Sequence, residues 1–231
     1  MNRVVAAARL HLVHPLVMLG IPWLIVGLSF AINLAVWHLT PAGEEDSSFT
    51  GGLASLYITV MVVYVQAFTQ LLSFAMGVSL SRRTFFLGTA LVAVGQALGY
   101  GVAVAALAAI ERATDGWGAR LEFWMPLPGV TSNPVLQALI AASIMLAFMF
   151  TGIGMGIVYK RWGANGMWTL VLVAVVLLGA AGILVTWAQA WGDIGSWFAD
   201  QSTYTLTIGL PLALVAVLAA ASFTANRRTV P

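Results

Sequence analysis

Histidine is the side chain most readily turned to metal ligation or proton transfer near neutral pH, and this chain has three, His11, His14 and His38. His11 and His14 are spaced i, i+3, as ligands on a helix would be, but no carboxylate or third ligand stands near them in sequence. That pattern points to a pair at the membrane interface rather than to a metal site. All three lie near the ends of the first long apolar run, so none meets a serine in a membrane core, which argues against a serine-histidine hydrolase. The carboxylate run Glu44, Glu45, Asp46 stands beside Gly43 and Ser47, the composition of a solvated loop. Lys160 is the sole lysine, with no glycine-rich loop before it, so the chain lacks a Walker-type phosphate site. Without cysteine there are neither disulfides nor thiolate metal ligands.

Uncharged polarity is the chemistry that remains. Thr59, Gln66, Gln70, Ser73 and Gly77 follow one another at spacings of seven, four, three and four, close to one helical face within an apolar stretch. Such a face lines a substrate path or a wet interface between subunits, or makes hydrogen bonds between helices, each worth about 1 kcal/mol. A second feature is the segment "GVSLSRRTFFLG", residues 77–88, which places Arg82 and Arg83 between two apolar stretches.

The elements that carry these residues follow from composition. Of 231 residues, 61% are hydrophobic and 8% charged, and the mean hydropathy is +0.95, far from the quarter charged of a soluble domain. A helix needs about 20 apolar residues to cross a bilayer core of about 30 Å. Six stretches qualify: Leu16 to Leu39, Leu53 to Val78, Phe85 to Ile110, Pro134 to Tyr159, Gly163 to Ala190 and Thr205 to Ala225. Backbone amides in lipid must bond within their own segment, and barrel strands would be shorter and alternating. The expected fold class is therefore all-α, a polytopic membrane protein with six transmembrane helices. Residues 1–15 form an amphipathic interfacial helix, with Arg3, Arg9, His11 and His14 among apolar side chains, and residues 16–231 a single transmembrane domain. The first run is too long for a signal-peptide core and lacks a cleavage pattern after it, so it is read as a retained span.

Charge sets the orientation. Arg3, Arg9, Arg82, Arg83, Lys160, Arg161, Arg227 and Arg228 fall on one side of the six spans, eight of the ten basic residues. All eight acidic residues fall on the other. Basic short loops mark the cytoplasm, so both termini are expected inside. Trp37, Trp117, Trp124, Trp187, Trp191 and Trp197 then lie near the outer ends, where indole rings anchor helices. No Asp, Glu, Lys or Arg lies within a span, which argues against a proton-coupled pump. Gly88, Gly95 and Gly99, Gly152, Gly154 and Gly156, and Gly179 and Gly182 are small-residue signals for close helix packing. The aromatic outer segments 111–133 and 187–202 are either interfacial anchors or caps over a transport path. A net charge of +2, with basic residues scattered in pairs, points to topology rather than to nucleic acid.

The segment ending "HLVHP", the six spans, the "MGVSLSRRTFFLGT" connection and the outer "WGDIGSWFADQS" together resemble the permease subunits of ATP-binding-cassette transporters of the type-2 exporter class. The resemblance covers essentially the whole chain. It implies an N-terminal connecting helix and, after the second span, a coupling turn that docks on a separate cytoplasmic ATPase. That role would fall on Ser79, Ser81, Arg82, Arg83, Thr84 and Phe85. It implies two ATPase copies, a second permease, identical or homologous, and a path between the permeases lined by Thr59, Gln66, Gln70 and Ser73. The chain would be no enzyme and carry no cofactor, with ATP and Mg in the partner. Its place would be the plasma (inner) membrane of a bacterium, its cargo lipophilic or amphipathic: a drug, peptide or lipid. The long outer connection after the third span departs from the family pattern and bears on substrate access. Two other classes remain: a stand-alone secondary transporter or channel, and a non-transport scaffold. Internal repetition would favour the former, and residues 1–110 and 111–231 show no persuasive repeat.

Overall fold

The structure, a computed structural model, describes residues 3–40, 50–125 and 130–226. Its elements are helical: α1 (Arg3–His11), α2 (Leu16–Leu39, opening with a π turn at Leu16–Gly20), α3 (Ala54–Gly77, preceded by a short 3-10 turn at Gly51–Leu53), α4 (Arg82–Ala113), α5 (Pro134–Trp187), α6 (Trp191–Asp200) and α7 (Leu210–Asn226, entered through a π turn at Thr205–Gly209). Five of the helical stretches are long and apolar enough to cross a membrane. The all-α expectation holds in that form. Glu44, Glu45, Asp46, Arg227 and Arg228 lie outside the described residues.

One of the five is unusual. At about 1.5 Å per residue, the 54 residues of α5 would measure about 80 Å, more than twice a bilayer core. Gly163 divides it, with φ 63° and ψ −155°, a backbone conformation open to glycine but strained for other residues. The arm 134–162 packs in the bundle, whereas most of 164–187 stays exposed.

The core forms where α3, α4 and the first arm of α5 meet, around Tyr64, Phe68, Leu72, Met145, Met149, Ile153 and Ile157. Two glycines set the spacing. The backbone of Gly101 on α4 lies against Ala138 and Ala142 of α5, and Gly152 on α5 lies against Met61 and Tyr64 of α3, with no room for a Cβ. Gly88 does the same for α1: a Cβ there would sit 2.7 Å from that of Ala7. The N-terminal helix is thus seated on α4 through Ala7 and Ala8, both buried. By contrast Gly95, Gly99, Gly179 and Gly182 have nothing within 4 Å, so those four signals mark no contact among the described residues.

Prolines shape two of the helix entries. Pro22 has no N–H to offer the carbonyl of Met18 four residues back, and Gln96 of α4 donates its side-chain Nε2 to that oxygen at 3.2 Å instead. Pro211 likewise cannot serve Thr207, whose carbonyl, 3.0 Å from Ser143 Oγ of α5, shares that hydroxyl's proton with the carbonyl of Ile140 at 2.9 Å. Gln96 is held in turn by the hydroxyl of Tyr64, which donates to Oε1 at 3.0 Å. In a medium without water, side chains of neighbouring helices are what satisfies a carbonyl freed by proline.

The outer segment after α4 folds back on the bundle. Glu111, 2% exposed, accepts the backbone N–H groups of Phe123 at 2.9 Å and Trp124 at 3.1 Å. Phe123 and Trp124 pack against Phe30 of α2, Trp124 also against Trp23, and Phe123 fills the space over Gly52. Asp115, Trp117 and Arg120 have positive φ, so the intervening loop is tightly wound. Trp124 is therefore a core residue and not a surface anchor, because the loop carries it inward. The other aromatic segment differs: α6 has no buried residue.

Candidate functional site

The polar face expected on α3 is present and largely uncovered. Gln66, Gln70 and Ser73 are exposed and Thr59 is half-buried. Thr59 spends its hydroxyl on the carbonyl of Ser55 at 2.6 Å, a bond internal to its own helix. Ser73 accepts from Lys160 Nζ at 2.7 Å, which ties the end of α3 to the end of the first arm of α5. Gln66 and Gln70 open on a cavity of about 100 Å³ between α1, α2 and α3, whose polar lining is completed by His11 and His14. The structure thus brings the two glutamines together with two histidines that are far away in sequence.

His11 is the best-held member. It is 3% exposed, stacks on Phe85 with ring centroids 5.7 Å apart, and shares a 2.8 Å hydrogen bond between Nε2 and Thr89 Oγ1. Thr89 gives its own proton to the carbonyl of Phe85 at 3.0 Å, so in that bond it accepts and His11 donates. Burial pushes the imidazole pKa down to about 4. Between that value and about 6.5 the unfolded chain holds a proton that the folded chain refuses, so stability is complete above pH 6.5 and falls as the pH drops. A thermal melt taken at pH 5 should show a loss of about 2 kcal/mol relative to pH 7.5 through this group. His11→Gln, which cannot titrate, should flatten that part of the profile.

The connection from α3 to α4 is a capped corner with no helix of its own. Ser79, with φ 59°, closes α3: its N–H bonds the carbonyl of Met76, and the N–H of Leu80 bonds that of Ala75. This is the Schellman arrangement, with serine where glycine is commonest. Ser81 opens α4 by accepting the N–H of Thr84 at 3.1 Å, and its hydroxyl also contacts that of Thr84 at 2.7 Å. Ser79, Ser81 and Arg83 are exposed, Arg82 and Thr84 half-exposed. Phe85 is fully buried under α1. It does not face a partner or the membrane, since the N-terminal helix covers it.

No family model, curated protein or solved structure matches the chain. The functional reading therefore rests on the geometry above. Sequence reasoning missed two contributors. The participation of His11 and His14 in the α3 cavity depends on how α1 turns into α2, which no local pattern encodes. The roles of Gln96 and Ser143 had a signal, the recurrence of Gly-Ile-Pro at 20–22 and Gly-Leu-Pro at 209–211.

Proposed function

We propose that the chain is the permease subunit of an ATP-driven exporter of the type-2 ATP-binding-cassette class. It spans a bacterial plasma membrane six times, the two arms of α5 counting as separate spans, with both termini in the cytoplasm. The observation that carries this reading is the bare polar face of α3. Gln66 and Gln70 are uncharged, exposed and set in a span long and apolar enough to cross a membrane. Amide side chains facing hydrocarbon lose their hydrogen bonds with water, so such a face calls for a second subunit or an aqueous path. The uncovered arm 164–187 supports the same need for a partner. The corner at 78–84, capped on both sides and presenting Arg83, supports docking of a cytoplasmic ATPase, two copies of which would supply ATP and Mg chemistry. The chain itself would move cargo, a lipophilic or amphipathic molecule, by switching between two packings.

The deciding experiment is affinity purification from native membranes. An ATPase should co-purify with the wild type and fall at least tenfold with Arg82→Glu/Arg83→Glu, while the permease itself keeps its melting temperature. If no nucleotide-binding protein is retained under gentle extraction, the exporter reading fails. A stand-alone carrier would then move cargo in vesicles without nucleotide, and a scaffold would move none.

A further inference from the structure

The two arms of α5 part at Gly163 and leave a cleft between them. Gly166 of the second arm lies against Trp162 with no room for a Cβ, so the arms touch at the elbow. Past that contact a space of about 440 Å³ is lined by Val158, Trp162, Asn165, Thr169, Leu170 and Val173. A neighbouring space of about 280 Å³ shares Val158, Trp162 and Leu170 and reaches α7 at Leu218 and Ala221. The two adjoin as one cleft between the arms and the last helix. From Trp162 back to Thr151 it follows the first arm for about three turns, about 16 Å, close to half the hydrocarbon core of a bilayer. Its hydroxyls are spent inside their own helices: Thr151 donates to the carbonyl of Ala147 at 2.8 Å and Thr169 to that of Asn165 at 2.9 Å. No Asp or Glu is among the described residues that line either space.

A cation stands at the elbow end. Arg161 follows Gly154 and Val158 of the lining at spacings of four and three, which puts it on the same face of the first arm. It is exposed, and its guanidinium lies 4.5 Å from the centroid of the Trp162 ring. Stacking uses the face of the guanidinium and leaves the N–H groups in its plane, a fork that matches a pair of phosphate oxygens. Lys160 is directed elsewhere, to Ser73 of α3. An apolar slot one leaflet deep with a cation at its mouth fits a lipid carrying net negative charge. A zwitterionic head group would bring an ammonium, and the lining offers it no carboxylate. We propose that this cleft binds an anionic glycerophospholipid from the leaflet on the Arg161 side, one acyl chain lying between the arms of α5 and α7 and the phosphodiester on the Arg161 guanidinium. The site requires that the chain lie in a membrane, and it needs neither the exporter reading nor an ATPase.

Phosphatidylglycerol and phosphatidylcholine of matched acyl chains share the phosphodiester and differ in net charge. The full chain, in mild detergent, is offered both, and the lipid retained is counted by native mass spectrometry. The wild type should keep the glycerol lipid at least fivefold better. Arg161→Gln should bring the two lipids to parity, whereas Arg83→Gln, the same loss of charge at the exposed α3–α4 corner, should leave the preference intact. Leu170→Trp fills the cleft at an exposed position, where folding is not at stake, and should cut retention of the glycerol lipid about tenfold. Equal retention of the two lipids by the wild type, or the same loss of preference in both arginine variants, would overturn the assignment and leave only a diffuse surface attraction. Unaltered retention by Leu170→Trp would overturn it as well, by placing the acyl chain outside the cleft.

Discussion

Glu111→Ala should release the outer segment and cost about 4 kcal/mol. The carboxylate takes the backbone N–H groups of both Phe123 and Trp124 in a buried setting. Hydrogen bonds to a charged acceptor are worth about 1.5–3 kcal/mol each, and without Glu111 two buried amides are left unmade. Amide hydrogen exchange at Leu121, Phe123 and Trp124 should rise by orders of magnitude, together with a lower melting temperature. Glu111→Gln keeps one acceptor oxygen and should lose roughly half as much. If exchange in this segment is unchanged by Glu111→Ala, the carboxylate is not what holds it down, and the aromatic packing on Phe30 and Trp23 suffices.

The second large effect is expected at the glycines where backbones touch. Gly101→Ala pushes α4 off Ala138 and Ala142, and Gly152→Ala pushes α5 off Met61 and Tyr64. In both cases the obstacle includes backbone, which cannot rotate away. Overpacking costs about 1–3 kcal/mol per site and occasionally more. The two contacts involve different partners and should add, to about 2–6 kcal/mol for the double variant. Gly95→Ala and Gly99→Ala on the same α4 meet open space and should be neutral or gain up to about 1 kcal/mol from helix propensity. Melting temperatures of these variants in one detergent separate the sets. Equal losses in both sets would mean that α4 presents a different face to α5.

These glycines show where sequence reading succeeds and where it stops. Hydropathy located most of the apolar helices: Leu16–Leu39 and Thr205–Ala225 have the expected bounds and the second and third shift by a few residues, whereas the expected fourth and fifth spans are one helical stretch, Pro134–Trp187, bent at Gly163. Each is a property of one segment and its solvent. Choosing Gly101 over Gly99 as the contact requires the rotation of α4 about its axis, which depends on its neighbours. The same holds for Phe85, whose position beside Arg83 suggests exposure until α1 is seated over it. Glu111 was legible only as one of several outer charges. Its grip on amides twelve and thirteen residues later belongs to the loop fold and leaves no spacing rule behind. The stripe of Gln66, Gln70 and Ser73 was visible from periodicity alone, whereas its pairing with His11 and His14 was not.

The carbonyls stranded by Pro22 and Pro211 bear on how the chain is made. As the ribosome delivers it from the N-terminus, α2 is made before the residue that will serve Met18, since Gln96 lies 78 positions later. α2 is therefore an unfinished object until α4 arrives, which favours keeping these early segments together until then. At the other end the order is reversed: Ser143 is already in place when Thr207 emerges, and the last helix can close on a prepared seat. A chain interrupted after α3 should accordingly be recognised and degraded faster than one interrupted just before α7.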